Sequence, residues 1–255
     1  MGGQEFLNNE KRWCLWLEKI TPSELKASKP LLQRVEAVKA ARRSSGRAAT
    51  QKLALTPSLF GEIRQPDASY LLLPKVSSEN REYMPIGFMT AETVANGSAL
   101  VVAKATLHTF GVLQSAMHMA WMRFTAGRMK SDYQYSIGIV YNNFPWPGFA
   151  GESLSDKHRT AIEQAAQCVL DARAAFPTSS LADLYDPLSM PPALLKAHQK
   201  LDTAVDAAYQ PSGGKKSYAS DAERVAFLFE LYQRITSLLP VAAAKKTRKT
   251  RSTKN

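Results

Sequence analysis

The chain has 255 residues, of which 45% are apolar, and it carries a formal net charge of +11 with a pI near 9.6. A chain of this size and apolar content can bury a core and form one or two domains. The positive charge favours nucleic acid or another acidic surface as a partner. No apolar run approaches the roughly 20 residues of a membrane span, and the N-terminus lacks the pattern of a signal peptide, so we expect a cytoplasmic protein without a membrane partner.

The cysteines and histidines do not form a pattern typical of metal or catalytic sites. Two cysteines, Cys14 and Cys168, are too few for a disulfide framework or a zinc site and are predicted to be buried thiols. The four histidines fall on separate predicted elements without metal-ligand spacing. His118 is predicted to be a hydrogen-bonded core residue, and His198 is predicted to pair with Asp202 one helical turn away. We therefore expect neither a metal site nor a nucleophile–base arrangement.

The first third of the chain mixes strand-like and helical patterns. Residues 6–17 contain short apolar alternation that predicts a strand. Thr21 can cap a helix that begins at Pro22. Apolar residues at helical spacing predict an amphipathic helix from Pro30 to about Arg43.

Arginines cluster at the end of that predicted helix. Arg42, Arg43 and Arg47, together with two serines, form a candidate phosphate-contacting patch. The alternative is an ordinary solvated helix end, where arginine is favourable for the helix dipole. The sequence leaves both interpretations open.

A second candidate phosphate contact lies between two short apolar segments. Residues 57–74 predict short strands ending in a buried run, and residues 99–105 predict another strand after an Asn-Gly turn. The loop between them offers Ser77, Ser78 and Arg81 to phosphate oxygens. Alternatively, Arg81 pairs with its neighbouring glutamate in a turn.

The stretch from Phe110 to Pro147 is the centre of the chain's organisation. Residues 110–124 are apolar on nearly every face, which is typical of a buried helix, and Gly127 can end it. Asn143 and the aromatic-proline residues around it superficially resemble an amino-methyltransferase motif, in which an Asn or Asp precedes two prolines and an aromatic ring. However, Phe144 stands where the first proline would be, and no glycine-rich loop precedes it. We therefore expect a rigid joint between two subdomains rather than a catalytic site.

If the segment after Gly127 is extended, its side chains alternate between two faces. One face would then carry Arg128, Lys130, Asp132 and Gln134, and the other Met129, Ser131, Tyr133 and Tyr135. Lysine or arginine donates to guanine, aspartate accepts from cytosine, and glutamine pairs with adenine. The first face is therefore a candidate base-reading surface, and the alternative is a solvated strand face.

The last hundred residues are rich in alanine and helical in pattern. Residues 156–176, 193–209 and 221–239 have apolar stripes at helical spacing, which predicts a small bundle. The terminal residues 245–255 carry six of the eleven net positive charges and no acid. Residues 241–255 are therefore predicted to be a disordered basic tail that either adds non-specific DNA affinity or only solubilises the chain.

Several long blocks follow one another along the chain. They are RWCLWL, PLLQRVEAVKAARRSS, VSSENREYMPIGF, FGVLQSAMHMAWMR, GRMKSDYQYS, VYNNFPWP, QCVLDARAAFP, SLADLYDPLSMP and KAHQKLDTAVDAAY. In this order they resemble the target-recognition region of MmeI-like (type IIL) restriction–modification enzymes, and the resemblance covers roughly residues 5–239.

The resemblance implies the function of the chain. Enzymes of this family join a nuclease, an adenine-N6 DNA methyltransferase and a DNA-reading module in one large chain. The expected architecture is α+β, with a recognition domain over residues 1–147, a helical domain over 151–240 and the tail. We therefore expect sequence-specific recognition of double-stranded DNA, with the family's base-reading pair on Lys130 and Asp132.

The resemblance also implies partners and cofactors that this chain lacks. The parent enzyme would use S-adenosylmethionine, and Mg²⁺ where it has a nuclease module. We expect no cofactor and no methyl transfer in this chain alone. It would be a piece of a split or truncated gene, or a subunit serving a methyltransferase in trans. The other hypothesis is a helical protein-interaction module for which DNA contact is incidental.

Overall fold

The computed structural model describes residues 1–148 and 153–237, which form an α+β structure, as predicted. The chain divides into two compact units. The smaller unit comprises residues 11–66, and the larger comprises residues 1–10 and the described residues from Asp67 onward. The predicted tail over residues 241–255 lies outside the described residues, and the predicted boundary between residues 147 and 151 stays a prediction.

The helices and strands follow one another in mixed order along the chain. The helices are α1 (Gly3–Leu7), α2 (Pro22–Ala27), α3 (Lys29–Arg43), α4 (Ala48–Lys52), α5 (Leu107–Leu113), α6 (Ala116–Thr125), α7 (Asp156–Ala174), α8 (Leu181–Leu184), α9 (Pro192–Ala208) and α10 (Asp221–Ser237). The strands are β1 (Tyr70–Pro74), β2 (Val76–Ser77), β3 (Gly87–Met89), β4 (Ala99–Ala103), β5 (Gly127–Met129) and β6 (Asp132–Gln134).

The smaller unit is helical. The predicted start of α2 is confirmed, because the Thr21 side chain accepts a hydrogen bond from the backbone N–H of Glu24 in a capping box. The predicted helix over residues 30–43 is confirmed as α3. The strand predicted over residues 6–17 is wrong. Residues 6 and 7 belong to α1 and residues 8–17 pair with no strand, so the short apolar alternation there has no neighbour to complete its backbone hydrogen bonds.

The larger unit contains two antiparallel sheets. The first has the order β3-β1-β4, with Leu72 of β1 opposite both Gly87 and Val101. Strand β1 is buried over its whole length, as its uninterrupted apolar run predicts. The second sheet has the order β2-β6-β5. Lys75 lies between β1 and β2 and accepts a 2.8 Å hydrogen bond from the N–H of Tyr135, so the second sheet continues directly from the first.

The predicted helix over residues 110–124 is two helices. Helix α5 ends before Gln114, and the Ser115 side chain caps α6 by accepting from the N–H of His118. The Gln114 amide donates a 2.8 Å hydrogen bond to the carbonyl of Met84, so the break is held by a tertiary contact. Gly127 does not end α6, which stops at Thr125, because Gly127 is the first residue of β5.

The predicted C-terminal helices are present as α7, α9 and α10. Helix α5 approaches α7 so closely that a Cβ on Gly111 would lie 2.8 Å from the Ile162 side chain, which explains glycine there. The predicted pair of His198 with Asp202 is wrong. His198 instead bonds to the Tyr185 hydroxyl at 2.8 Å, and Asp202 accepts from Tyr83.

The two cysteines lie at the surface. The thiols of Cys14 and Cys168 are both exposed, so the prediction that they are buried is wrong. Each lies on the solvent side of its segment, where apolar neighbours along the chain do not ensure burial.

Among the described residues, no helix combines the length and the apolar character that crossing a membrane requires.

Candidate nucleic-acid interface

The segment that carries the predicted base-reading residues is a hairpin rather than one extended strand. Strands β5 and β6 pair antiparallel, with Met129 opposite Asp132, and are joined by Lys130 and Ser131. Lys130 has a φ of +57°, in the left-handed region that two-residue hairpin turns require. The Lys130 side chain is therefore exposed at the tip of the hairpin.

The turn changes which residues share a face, so the predicted single row of four side chains is wrong. Directly opposed residues of an antiparallel pair lie on the same face. Because Arg128 is opposite Tyr133, it lies on the face of that buried tyrosine. Met129 takes the place predicted for Arg128 and shares the outer face with Asp132 and Gln134. The two-residue turn reverses the alternation that one continuous strand would have kept.

Arg128 is held by three contacts at the edge of the hairpin. Its guanidinium carbon lies 3.9 Å from the centre of the Tyr133 ring, a cation–π arrangement. Its Nη1 donates to the Ser131 carbonyl at 2.7 Å and lies 3.4 Å from Oε2 of Glu79. Because the side chain is 44% exposed, it still has donors accessible to a ligand.

The outer face of the hairpin presents three side chains of different chemistry. Asp132 is half-buried and Gln134 is exposed, so both present hydrogen-bonding groups at the surface. Met129 is 50% exposed beside them. The position of Met129 on this face was not predictable from local pattern, because the turn residues Lys130 and Ser131 lack the Asn-Gly or Asp-Gly pair that predicts a hairpin.

The inner side of the hairpin rests on a rigid aromatic core. Tyr133 and Tyr135 are 7% and 3% exposed. The hydroxyl of Tyr135 lies 3.0 Å from Nε2 of His118, so the predicted core role of His118 is confirmed. Burial lowers the pKa of His118 to about 3, so the ring is neutral near pH 7. The outer side chains of β6 therefore stand on a well-packed support.

The predicted phosphate contacts in the loop after β2 differ in accessibility. Ser77 is 3% exposed and pairs with Tyr133 on the core side of the sheet, which argues against a phosphate contact there. Ser78 accepts a 3.3 Å hydrogen bond from the N–H of Asn80. Burial lowers the pKa of Arg81, while Asp132 and Asp186 act in the opposite direction. Arg81 is half-buried, so its guanidinium is only partly accessible to a phosphate.

The three arginines of the predicted phosphate-contacting patch at the end of α3 also differ. Arg42 donates to the carbonyls of Leu53, Thr56 and Leu59 at 2.7–2.9 Å, so its guanidinium fastens the segment after α4 to α3. This scaffolding role was not predicted. By contrast, Arg43 and Arg47 are exposed and accessible to a ligand.

The positive charge is strongly segregated along the chain. Residues 11–66 contain twelve lysines and arginines and four glutamates, a net charge of +8. Residues 245–255 add +6, so the remainder of the chain has a net charge of −3. The smaller unit is therefore the main cationic surface among the described residues.

The side chain of Asn143 forms hydrogen bonds to the backbone just before it. The Asn143 amide donates to the carbonyls of Gly138 and Ile139 at 2.9 and 3.1 Å, which closes a single π-helical turn over Ile137–Tyr141. The Tyr209 hydroxyl donates to the Pro145 carbonyl at 2.8 Å. The two bonds from Asn143 hold its side chain against the π-helical turn, and the bond from Tyr209 fixes the proline segment that follows.

The described residues do not fit a nucleoside-type cofactor or a metal ion. Strand β4 leads into α5 through Lys104, Ala105 and Thr106, without the glycines that allow a backbone to approach a cofactor. No group of three or more His, Cys, Asp or Glu side chains in residues 1–148 and 153–237 is arranged to hold a metal.

Comparisons with known proteins agree with this architecture. The family model of the MmeI target recognition domain matches residues 1–148, and that of the MmeI C-terminal domain matches residues 154–240. DNA methyltransferase A of Bacillus subtilis (strain 168) is 39% identical over 236 residues, which are 92% of this chain and 26% of that protein.

A solved structure is also similar. It is that of the Type IIL restriction-modification enzyme MmeI in complex with DNA, with a TM-score of 0.87 and 46% identity over 93% of this chain. The chain covers 30% of that enzyme, so it spans less than a third of both relatives. On the matches to both family models, this chain belongs to the MmeI family and comprises its target recognition and C-terminal domains.

Proposed function

We propose that the chain recognises a specific sequence in double-stranded DNA as the specificity portion of an MmeI-like adenine-N6 DNA methyltransferase. The observation that carries this proposal is the hairpin. It presents Lys130 at its tip and Asp132 and Gln134 on its outer face, above a buried tyrosine support. Such a two-stranded ribbon fits into the major groove of B-DNA, where base edges are distinguishable.

The chemistry of the hairpin suits a G·C base pair. A lysine ammonium donates to guanine O6 and N7, and an aspartate accepts from cytosine N4. Lys130 and Asp132 are close neighbours across the turn, so one residue can meet each base of a pair. Gln134 is suited to an adenine on the same face, and Arg128 is available at the hairpin edge.

Phosphate contacts belong, in this proposal, mainly to residues 11–66. Their net charge of +8 matches a polyanion, and Arg43 and Arg47 are exposed. Contacts to phosphate fix the position of a protein on the duplex but carry no sequence information. This unit would therefore supply affinity, while the hairpin supplies specificity. Arg42 and Ser78 would act mainly by supporting the segments that bear such contacts.

The catalytic modules would be provided by the rest of the parent enzyme, in cis or in trans. The methyltransferase module would bind S-adenosylmethionine and transfer its methyl group to an adenine, and a nuclease module would use Mg²⁺. Residues described in this chain would contribute by placing those modules on the correct DNA site. We expect no methyl transfer by the chain alone.

Selection from a randomised duplex library tests the proposal. The full chain should enrich a defined site at near-physiological salt. Replacing Asp132 by Ala should reduce discrimination at one base pair by about 1–3 kcal/mol, because the acceptor for cytosine is lost. Asp171→Ala, which removes an exposed carboxylate from α7, is the control and should keep the site unchanged.

The result of this selection separates base reading from other contributions. An Asp132→Ala protein that enriches the same site with undiminished preference would contradict the assignment of Asp132. A wild-type chain that binds all duplexes equally would contradict sequence recognition by the chain itself.

A second candidate function is a protein-interaction module, and one observation favours it. Residues 11–66 expose six large apolar side chains on a unit with little core of its own. They are Trp13, Leu15, Val38, Leu55, Phe60 and Ile63. Replacing Trp13 and Leu55 by Ser should then abolish binding to a purified methyltransferase module and leave DNA affinity unchanged. If the first proposal is correct, the chain still selects a specific duplex when no methyltransferase module is present.

A further inference from the structure

The outer face of the hairpin carries an apolar side chain beside the predicted base-reading residues. Met129 of β5 lies directly opposite Asp132 of β6, so the two side chains project from the same face. Directly opposed residues have Cβ atoms about 4.5–5.5 Å apart, and a diagonal neighbour such as Gln134 lies about 7–8 Å away. Because successive base pairs are about 3.4 Å apart along B-DNA, Met129 lies within about two base-pair steps of both side chains.

The fold does not account for an apolar side chain at this position. Because Met129 is 50% exposed, packing within the chain gains little from it. Its strand β5 lies at the edge of the sheet β2-β6-β5. An exposed apolar residue on an edge strand favours aggregation, and proteins commonly place charged residues there instead. Contact with a partner therefore explains Met129 better than packing does.

Exposed apolar side chains of the larger unit are concentrated around the hairpin. Among its described residues, the large ones that are exposed are Phe124, Met129, Ile137, Ile139 and Leu188. Four of these five lie within residues 124–139, the segment that contains β5 and β6. Single scattered apolar residues are normal on a protein surface, but a group around one short hairpin indicates an interaction surface.

The chemistry of methionine limits what it can read on a base edge. Its thioether is only a weak hydrogen-bond acceptor, so its contacts are mainly apolar. The apolar group that the base pairs present in the major groove is the C5-methyl group of thymine. Asp132 and Gln134, by contrast, are matched to the amino groups of cytosine and adenine.

We propose that Met129 is a specificity-determining residue that contacts the methyl group of a thymine within about two base pairs of the pair read by Asp132. This inference rests on the proposed function of the hairpin. It adds an apolar contact to the hydrogen-bonding side chains of the same face. With both kinds of contact, the hairpin distinguishes thymine from cytosine.

Selection from a randomised duplex library with the full chain tests the position of this thymine. The site enriched by wild type should contain a thymine within about two base pairs of the position that Asp132→Ala relaxes. Met129→Ala should reduce the preference for that thymine about fourfold, the effect expected for the loss of one buried methyl group, and Met129→Leu should retain most of it. Leu188→Ala is the matched control, because it removes an exposed apolar side chain between α8 and α9 and should leave the site unchanged.

Replacing that thymine by deoxyuridine tests the contact itself, because only the methyl group is removed. The affinity of wild type for the selected duplex should fall about fourfold, and the affinity of Met129→Ala should not change. Equal losses for the two proteins would overturn the inference, because the methyl group would then act through another residue or through the shape of the duplex. A wild-type site without such a thymine would also overturn it.

Failure of the inference is distinguishable from failure of the proposed function. If the wild-type chain enriches a site and Met129→Ala enriches the same site with equal preference, only the role of Met129 is wrong, as expected for a methionine that contacts a protein partner. If the wild-type chain enriches no site, base reading by the hairpin is overturned together with the role of Met129.

Discussion

The smaller and larger units differ in how they use charge and apolar surface. Residues 11–66 carry a net charge of +8 and bury only Val35 and Ala54 among their apolar side chains. The larger unit is net acidic when residues 245–255 are set aside, and it buries an extensive aromatic and aliphatic core. Most of the positive charge of the described residues is therefore carried by one unit, and the candidate base-reading hairpin belongs to the other.

This difference fits a division between affinity and specificity. Contacts to phosphate need many accessible cations but little precision. Contacts to bases need few side chains in exact orientations, which a packed support provides. Tyr133 and Tyr135 supply that support below the hairpin, whereas Arg42 fastens one segment of the smaller unit to α3.

The largest expected effect is the loss of DNA affinity when exposed positive charges are removed from the smaller unit, residues 11–66. Replacing Lys26, Arg34, Arg43 and Arg47 by Gln removes four exposed charges. Affinity for all duplexes should fall on the order of 10²–10³-fold at physiological salt, and the slope of log K against log[salt] should fall by about 3.6. Fluorescence anisotropy over a salt series measures both quantities.

A matched variant tests whether location matters. Lys157, Lys196, Lys200 and Lys216 are exposed in the larger unit, and their replacement by Gln changes the net charge equally. This control should lose much less affinity. Equal losses in the two variants would show that only the total charge matters, and the division between the units would be wrong.

The stability of the larger unit should depend on pH through one buried carboxylate. Burial raises the pKa of Asp202 from 3.8 to about 6, although Tyr83 and the N–H of Ala116 donate to its carboxylate. The folded protein thus retains this proton to a higher pH than the unfolded chain. The contribution of Asp202 to the free energy of unfolding should fall by about 3 kcal/mol as the pH rises from about 4 to above 6.

Asp202→Asn isolates that contribution. Urea unfolding of both proteins at pH 4 and pH 7 should show wild type losing stability relative to the variant on going to pH 7, and Asp171→Asn should behave like wild type. Parallel pH profiles for wild type and Asp202→Asn would mean that the carboxylate ionises equally easily in the folded and unfolded states.

The smallest of these effects is a local loss of stability in the smaller unit when the hydrogen bonds of Arg42 are removed. Arg42→Gln removes charge-assisted hydrogen bonds to three carbonyls and should destabilise the segment from Leu53 to Leu59 by about 2 kcal/mol. Hydrogen exchange should become faster at the amides of Thr56 and Leu59, which bond within this segment. Arg43→Gln, at an exposed neighbour, should leave exchange there unchanged.

Much of the secondary structure could be predicted from local pattern. The capping residue Thr21 and the apolar spacing of α3, α7, α9 and α10 identify helices whose stability depends on one buried face. The buried run of β1 is equally clear. The order of the sequence blocks also indicated the family, because several long segments in one order are far more specific than a single motif.

The geometry of the candidate site could not be predicted in the same way. A left-handed Lys130 has no strong local signal, since lysine does not favour that conformation. The pairing of β5 with β6, and of β6 with β2, stabilises the turn through contacts distant in sequence. As a consequence, Arg128 and Met129 exchange the faces that strand alternation predicts.

The sequence by itself determined the α+β class, the main helices, the family and the residue types suited to reading bases. Only the tertiary structure decided which of those residues share a face, that Arg42 donates to backbone carbonyls, and that Glu79 pairs with Arg128 of the hairpin. The physical reason is range. Propensity, capping and apolar period act within a few residues. Strand partners such as Val76 and Gln134 are 58 positions apart and pair only when the core is packed.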